Sequence, residues 1–215
     1  MSCQPDLTEE QRLWSQGYVR IAGLDEVGRG AWAGPVVAAA VILPADHTMA
    51  AALAPIRDSK LLTPRQREHC YEIIIKHALA YGIGACPASE IDRLGIVPAT
   101  RAAMRQALDQ LSPPADYLLI DALSLPQVSL PQHGIIKGDR HCLSIAAASI
   151  LAKVTRDRCM IALDEHLPGY GLARHKGYGT AQHRAALYAL GPTAQHRHSY
   201  APIRALYRGR EARDD

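Results

Sequence analysis

Two short apolar runs near the start of the chain predict the first pair of β-strands. They are residues 18–26 (YVRIAGLDE) and residues 35–43 (PVVAAAVIL). The segment GRGAWAG lies between them, and its glycines predict a turn because glycine adopts backbone angles that other residues avoid. Two runs of strand length joined by a short turn favour an antiparallel pair.

The next part of the chain alternates between helical and extended patterns. Thr63 and Gln66 have the form of a capping box around Pro64, which predicts a helix over residues 64–79. A weak alternation over residues 80–85 predicts a third strand. Two more helices are predicted, followed by a buried strand, YLLI, that ends in a carboxylate; these elements cover residues 89–95, 98–111 and 117–121.

The second half of the chain adds one more strand and the longest helix. The strand is predicted at residues 134–137 and the helix at residues 144–166, where a Pro-Gly pair ends it. Shorter helices are predicted after Thr180 and near residues 202–208. This order predicts an α/β fold in which the sheet starts antiparallel and continues with parallel strands, flanked by helices and followed by a small helical C-terminal extension.

The composition indicates a globular protein whose fold does not depend on disulfide bonds. The chain has 215 residues, of which 48% are hydrophobic, and this length supports a core without disulfides or a structural metal. Its five scattered cysteines form no C-x-x-C pair, which indicates a reducing compartment. Residues 31–43, the longest apolar stretch, fall short of the roughly 18 residues that a membrane span needs. We therefore expect a monomeric, cytoplasmic protein with no membrane partner.

Charge is distributed unevenly along the chain. Residues 171–215 carry eight Lys or Arg and three Asp or Glu, whereas residues 1–170 carry 16 and 18. A basic end can be a solvated tail, or it can bind phosphates while the acidic body holds cations. We expect a leader at residues 1–17, a main domain at residues 18–170, and a basic helical region at residues 171–215.

Carboxylates stand at the ends of the predicted strands. Asp25 and Glu26 follow one apolar run, Asp121 follows another, and Asp139 follows the strand at residues 134–137. Any one of them alone is more simply a turn or cap residue. Converging acids repel one another unless divalent cations neutralise them, and Mg²⁺ takes oxygen ligands. Asp25 and Glu26 are adjacent, so both reach one site only if the strand breaks there, which the glycines after them permit.

Seven motifs along nearly the whole chain resemble type II ribonuclease H, also called ribonuclease HII, in the order of that family. They are LDEVGRGAWAGPVVAAAVIL (24–43), DSKLLTPRQRE (58–68), EIDRLGIVPATRAAMRQAL (90–108), IDAL (120–123), KGDRHCLSIAAASILAKVTRD (137–157), HKGYGT (175–180) and HRHSYAP (196–202). The predicted element order is also that of a ribonuclease H-like fold. Ala122 stands where the family usually has glycine, and Tyr200 stands where phenylalanine is common.

The resemblance implies an endoribonuclease that requires Mg²⁺ or Mn²⁺, with a catalytic domain at residues 18–170 and a substrate groove that residues 171–215 complete. Its substrates would be the RNA strand of RNA:DNA hybrids and ribonucleotides embedded in duplex DNA, cut on their 5′ side to leave 5′-phosphate and 3′-hydroxyl ends. This activity serves ribonucleotide removal from DNA and the degradation of RNA primers. The resemblance assigns catalysis and metal binding to Asp25, Glu26, Asp121 and Asp139, reading of the ribose 2′-OH to Gly28, Arg29 and Gly30, and stacking at the RNA-DNA junction to Tyr178.

Two further assignments concern Asp157 and Lys60. Asp157 competes with Asp139 as the fourth acid, but it lies 13 residues into the predicted helix at 144–166, or about 20 Å from the start of that helix. We therefore read Asp157 as the partner of Arg156 in a surface or interhelix ion pair. Lys60 is one of only five lysines in the chain, and we expect it to contact phosphate or the acidic cluster.

Overall fold

The computed structural model describes residues 4–46 and 50–211. Five strands are present in these residues: β1 (Ile21–Val27), β2 (Val36–Ile42), β3 (Ala80–Cys86), β4 (Tyr117–Asp121) and β5 (Gln132–Ile135). The α-helices are α1 (Thr8–Ser15), α2 (Ala50–Leu53), α3 (Pro64–His77), α4 (Ala88–Leu94), α5 (Ile96–Leu108), α6 (Leu143–His166), α7 (Leu172–His175), α8 (Ala181–Leu190) and α9 (Ala201–Glu211). Single 3₁₀ turns cover Ser59–Leu61 and Gly138–Arg140.

The five strands form one mixed sheet in the order β3-β2-β1-β4-β5. β1 pairs antiparallel with β2 and parallel with β4, and β4 pairs parallel with β5. The predicted fold class is therefore confirmed, including the change from antiparallel to parallel pairing and the helical C-terminal part. Because β1 and β4 are parallel neighbours, their carboxyl ends lie at the same edge of the sheet.

The described residues form two compact units. The first consists of residues 4–27, 37–46, 50–85 and 101–154, and the second consists of residues 28–36, 86–100 and 155–211. These units are assembled from separate stretches of the chain, and the domain boundaries predicted at residues 17 and 170 stay a prediction.

The core of the first unit lies between the sheet and the first half of α6. All seven residues of β2 are buried, and small α6 side chains such as Ala147 and Ala148 pack in the same cluster as Val37 and Val41. Helix and sheet approach very closely at Gly23, where a Cβ atom would lie 2.2 Å from the carbonyl carbon of Ser144. Glycine on β1 therefore brings the N-terminal end of α6 directly against the strand that carries Asp25.

The core of the second unit forms around Met160 and Tyr170, together with Leu172, Leu187 and Ile203. The loop at residues 28–36 is held to the 175–180 segment by its backbone, since the amide of Trp32 donates to the carbonyl of Gly177 at 2.8 Å. The second unit thus contains both segments that the resemblance assigns to ribonucleotide recognition.

Most predicted elements are present, with shifted ends. The capping box of α3 forms between Thr63 and Gln66, and the helix begins at Pro64 as predicted. β5 ends two residues before the predicted Lys137, because that residue turns into a left-handed conformation, φ 56°. The sequence analysis predicts no helix before Tyr18, whereas α1 occupies Thr8–Ser15. Among the described residues, no helix has the length and apolar character to span a membrane.

Candidate active site

Three of the four predicted acids lie at one edge of the sheet in the first unit. Asp25 is near the end of β1 and Asp121 is the last residue of β4, one step beyond the paired residues Leu24 and Ile120. Asp139 lies in the 3₁₀ turn just ahead of α6, and Asp121 holds this turn by accepting a hydrogen bond from the Gly138 amide at 2.8 Å. The parallel strand pair therefore brings distant carboxylates together.

Glu26 follows Asp25 on a strand that stays regular. Pairing with β2 continues without a bulge through Val27. The strand therefore ends at Gly28, after both acids, and is not interrupted between them. Side chains of consecutive residues on a regular strand point to opposite faces. The carboxylate of Asp25 accepts a hydrogen bond from the Glu26 amide at 2.7 Å. The strand break that the sequence analysis expected at Asp25 and Glu26 is therefore wrong, while the role of Glu26 as a metal ligand stays a prediction.

Electrostatics couple the acids to one another. Burial raises the pKa of Asp25 well above its usual range, and the negative charges of Glu26 and Asp121 raise it further. Burial also raises the pKa of Asp121, with the charge of Asp139 acting in the same direction and the Gly138 amide opposing it. Without a cation, this cluster of carboxylates is therefore an unfavourable arrangement.

Lys60 contacts the acidic cluster directly. Its Nζ donates to Asp139 Oδ2 at 3.0 Å and lies 3.9 Å from Asp58 Oδ1, while 72% of its side chain stays exposed. Burial lowers the pKa of Lys60, but the hydrogen bond to Asp139 and the charges of Asp139, Asp58 and Asp25 outweigh burial and raise it. Lys60 thus offers one exposed positive charge beside the carboxylates.

Sequence reasoning missed the residues that hold Lys60 and Asp139 in place. Asp58 is buried, caps the Ser59–Leu61 turn by accepting from the Lys60 amide at 2.9 Å, and pairs with Arg140 Nε at 3.2 Å. Both residues lie inside quoted motifs, Asp58 in DSK and Arg140 in KGDR. The sequence signal for their role was their position: Asp58 lies two residues before Lys60, and Arg140 directly follows Asp139.

The donor set suits a hard divalent cation. Asp25, Glu26, Asp121 and Asp139 supply only carboxylate oxygens, which Mg²⁺ and Mn²⁺ prefer, and the mutual repulsion of these groups is what a cation relieves. In the positions they occupy here, no three His, Cys, Asp or Glu side chains of the described residues are placed to hold one metal ion. These residues therefore match a divalent cation in the chemistry of their oxygen atoms and in lying close to one another.

The predicted recognition residues belong to the second unit. Gly28 has φ 93°, and a Cβ atom on it would lie 2.2 Å from Nε of Arg156. Gly30 is exposed, and a Cβ atom on it would meet nothing within 4 Å. The carbonyl of Arg29 accepts hydrogen bonds from Arg197 Nη1 at 2.8 Å and from the Tyr200 hydroxyl at 2.6 Å.

Tyr178 lies beside Arg156 in the same unit. Its ring is half-buried, and Cζ of Arg156 lies 5.5 Å from the ring centroid. Arg156 itself is fully buried, which corrects the prediction of a surface ion pair with Asp157, although the charge of Asp157 acts on the guanidinium. The reason is that its guanidinium donates to backbone carbonyls inside the unit, of which Pro35 is one, at 2.8 Å.

Three histidines form a buried cluster in the second unit. The rings of His175 and His183 stack with centroids 4.4 Å apart, and His183 Nε2 lies 3.1 Å from His196 Nε2. Burial lowers the pKa of His183 and of His196 to about 4, and the neighbouring imidazoles contribute in the same direction. His198 Nε2 lies 3.1 Å from the carbonyl oxygen of Thr193, and His196 Nδ1 accepts a hydrogen bond from the Thr193 amide at 2.9 Å, so both histidines contact the same residue.

Comparisons with known proteins identify the family that this arrangement matches. The family model for Ribonuclease HII matches residues 22–203. A ribonuclease HII from Dehalococcoides mccartyi is 50% identical over 203 residues, which cover 94% of this chain and 96% of that protein. The crystal structure of ribonuclease H2 from Pyrococcus horikoshii has a TM-score of 0.74 at 26% identity, covering 89% of this chain and 99% of that one. A structure of Bst-RNase HIII in complex with Mn²⁺ shares the fold at 18% identity, with a TM-score of 0.66 over 91% of this chain and 71% of that one.

Proposed function

The chain belongs to the ribonuclease HII family, and we propose that it cuts the RNA strand of RNA:DNA hybrids and the 5′ side of ribonucleotides embedded in duplex DNA. The observation that carries this proposal is the meeting of Asp25 and Asp121 at the ends of parallel neighbouring strands, with Asp139 in the turn that Asp121 binds. Such activity would serve removal of ribonucleotides from DNA and degradation of RNA primers.

We propose that Asp25, Glu26, Asp121 and Asp139 hold two Mg²⁺ or Mn²⁺ ions. Cations bound there would activate a water for in-line attack and stabilise the leaving oxygen, which yields 5′-phosphate and 3′-hydroxyl ends. The charge repulsion that raises the pKa of Asp25 and Asp121 supports this assignment, because bound cations favour the ionised carboxylates.

Lys60 is suited to bind the substrate backbone. Its ammonium group is anchored by Asp139 at 3.0 Å, yet most of the side chain is exposed to solvent. A phosphate arriving at the carboxylates meets this positive charge, and an anchored lysine binds a phosphate as a point charge. Lys60 would thereby place a phosphate next to the residues that perform hydrolysis.

Selectivity for RNA has to come from the 2′-OH, the group that distinguishes ribose from deoxyribose. We propose that Gly28, Arg29 and Gly30 read it with backbone groups. Two hydrogen bonds to the Arg29 carbonyl, from Arg197 and Tyr200, define the path of this loop. The open space at Gly30 lets a sugar approach the backbone closely.

Tyr178 is proposed to stack on the substrate at the junction between RNA and DNA. Stacking on an aromatic side chain contributes about 1 to 3 kcal/mol per base. Tyr178→Ala should therefore weaken cleavage at a single ribonucleotide more than cleavage of a long hybrid. Tyr188→Ala is a matched control, because it removes a ring that is 66% exposed on α8 of the same unit. An equal loss on both substrates together with a lower melting temperature would assign Tyr178 to packing instead.

The decisive experiment compares three labelled duplexes that differ only in their ribose content. One is all DNA, one carries a single ribonucleotide, and one is an RNA:DNA hybrid, each incubated with Mg²⁺, with Mn²⁺, or with EDTA. We expect cleavage of the second and third duplexes only, 5′ of a ribonucleotide, abolished by EDTA and by Asp25→Asn. Binding of the hybrid without cleavage in either metal would instead identify a hybrid-binding module that has lost catalysis.

A further inference from the structure

Arg156 and Arg197 are the two fully buried arginines among the described residues of the second unit, and the hydrogen bonds of the Arg156 guanidinium go to backbone carbonyls. Arg156 is 0% exposed. Its Nε donates to the carbonyl of Pro35 at 2.8 Å, its Nη2 to that of Ala33 at 3.1 Å, and its Nη1 to that of Lys176 at 2.9 Å. A buried arginine is costly, so its retention inside the protein calls for a specific role.

These three carbonyls belong to two different segments. Ala33 and Pro35 end the loop at residues 28–36, which begins with Gly28-Arg29-Gly30, whereas Lys176 stands two residues before Tyr178. Lys176 has φ 53°, a conformation unfavourable for a lysine. A charge-assisted hydrogen bond to its carbonyl stabilises the turn that presents Tyr178.

The same guanidinium also contacts the functional ends of both segments. Its Cζ lies 5.5 Å from the centroid of the Tyr178 ring, within the range of a cation–π interaction. On the other side it packs against Gly28 so closely that a Cβ atom there would lie 2.2 Å from Nε. One side chain therefore sets the separation between the glycine loop and Tyr178.

We propose that Arg156 is a positioning residue that determines selectivity for single ribonucleotides, by holding the Gly28–Gly30 loop and Tyr178 at the spacing of one ribose and its neighbour. This proposal rests on the recognition roles proposed above for those residues. A single ribonucleotide offers one 2′-OH, so both elements have to engage the same site. A long hybrid offers a 2′-OH at every position and tolerates a change in their spacing.

A double-mutant cycle with Arg156→Lys and Tyr178→Ala tests this proposal. Lysine keeps the charge but cannot donate to three carbonyls in one plane. The measured quantity is the ratio of kcat/KM on the single-ribonucleotide duplex to kcat/KM on the long hybrid, well below the melting temperature. We expect Arg156→Lys to lower this ratio about tenfold alone, and less than twofold when Tyr178 is already Ala, because both changes disable the same element.

Met160→Ala is the control for a purely structural effect. Met160 lies one turn further along α6 and packs against Gly34 and Gly177, so its truncation loosens the same core without removing a hydrogen bond. It should lower the melting temperature and leave the ratio unchanged. Arg156→Gln, which removes the buried charge, serves as the second variant if Arg156→Lys does not fold.

The outcomes distinguish the positioning role of Arg156 from the stacking role of Tyr178. An unchanged ratio in a folded Arg156 variant overturns the positioning role, as does a tenfold loss that persists when Tyr178 is Ala. If Tyr178→Ala itself leaves the ratio unchanged, the proposed stacking role fails and the positioning role fails with it. A ratio lowered by Met160→Ala as much as by Arg156→Lys assigns the effect to general loosening of the second unit.

Discussion

Ala122 occupies a backbone conformation that suits glycine, so replacing it by glycine should stabilise the protein. It directly follows Asp121 and has φ 50°, in the left-handed region. Its side chain is exposed, so Ala122→Gly removes no packing, and the hydrogen bond from its amide to the carbonyl of Ile135 at 3.0 Å can persist. The same φ explains why the backbone after Asp121 would accept a glycine at this position.

The expected gain combines two opposing effects on the free energy of unfolding. The left-handed conformation costs an L-residue about 1 to 2 kcal/mol, and glycine removes most of this cost. Glycine also makes the unfolded chain more flexible, which lowers stability by about 0.4 to 1 kcal/mol. The net effect is a stabilisation of about 0.5 to 1 kcal/mol, which raises the melting temperature by about 1 to 4 °C in a protein of this size.

Urea unfolding followed by circular dichroism measures this difference directly. Gly17→Ala is the matched control, because Gly17 has φ 95° and a Cβ atom on it would meet nothing within 4 Å. No side-chain contact changes there and the same two effects act in reverse, so we expect Gly17→Ala to destabilise the protein by about 0.5 to 1 kcal/mol. An Ala122→Gly variant that unfolds at the same or lower urea concentration, with an unchanged m-value, would refute the strain argument.

Three other predictions concern the acids and the buried histidines. Asp25→Asn should lower cleavage in Mg²⁺ on the order of a hundredfold or more while the melting temperature holds or rises, because a buried charge and its repulsion are removed; near wild-type cleavage contradicts this. Asp139→Asn should lower the turnover rate much more than Asp157→Asn, because Asp157 lies on α6 about 20 Å beyond the start of that helix. The reverse order of turnover rates in folded variants would identify Asp157 as the fourth acid. Burial lowers the pKa of His183 and His196 to about 4, so the unfolded state, with an ordinary pKa of about 6.5, binds protons first. The contribution of these two histidines to stability should be constant above about pH 7 and should fall between about pH 6.5 and 4 by on the order of 3 kcal/mol for each imidazole, and a melting temperature independent of pH in that range contradicts it.

Elements with local signals could be predicted from the sequence. The cap of α3 depends on Thr63 and Gln66, which are three residues apart, so the pattern that predicts the helix also stabilises it. The placement of Asp25 and Asp121 follows from the apolar runs ahead of them, because carboxyl ends of parallel strands share one edge of the sheet. The motifs that resemble ribonuclease HII added the family, which the comparisons confirm.

α1 shows where local signals fail. Its N-cap, Leu7, makes no side-chain capping bond, so no sequence pattern announces the helix. The helix is instead tied to α6 by Glu10, which is buried and accepts hydrogen bonds from the amide and hydroxyl of Ser144 at 2.9 and 2.6 Å. These partners are 134 residues apart, and pairing over that distance depends on the folded chain.

The sequence by itself determined the family, the order of the strands and of most helices, and the placement of Asp25 and Asp121 at the ends of strands. Only the tertiary structure decided which charges are paired and which are buried among carbonyls. Lys60 meets Asp139 across 79 residues, and Arg156 meets Pro35 across 121. Next to Asp157 in the sequence, Arg156 suggested an ion pair, yet its partners are backbone carbonyls. Every residue carries such a carbonyl, so no sequence pattern marks the few that face a guanidinium, and their selection comes from how the loops and α6 pack.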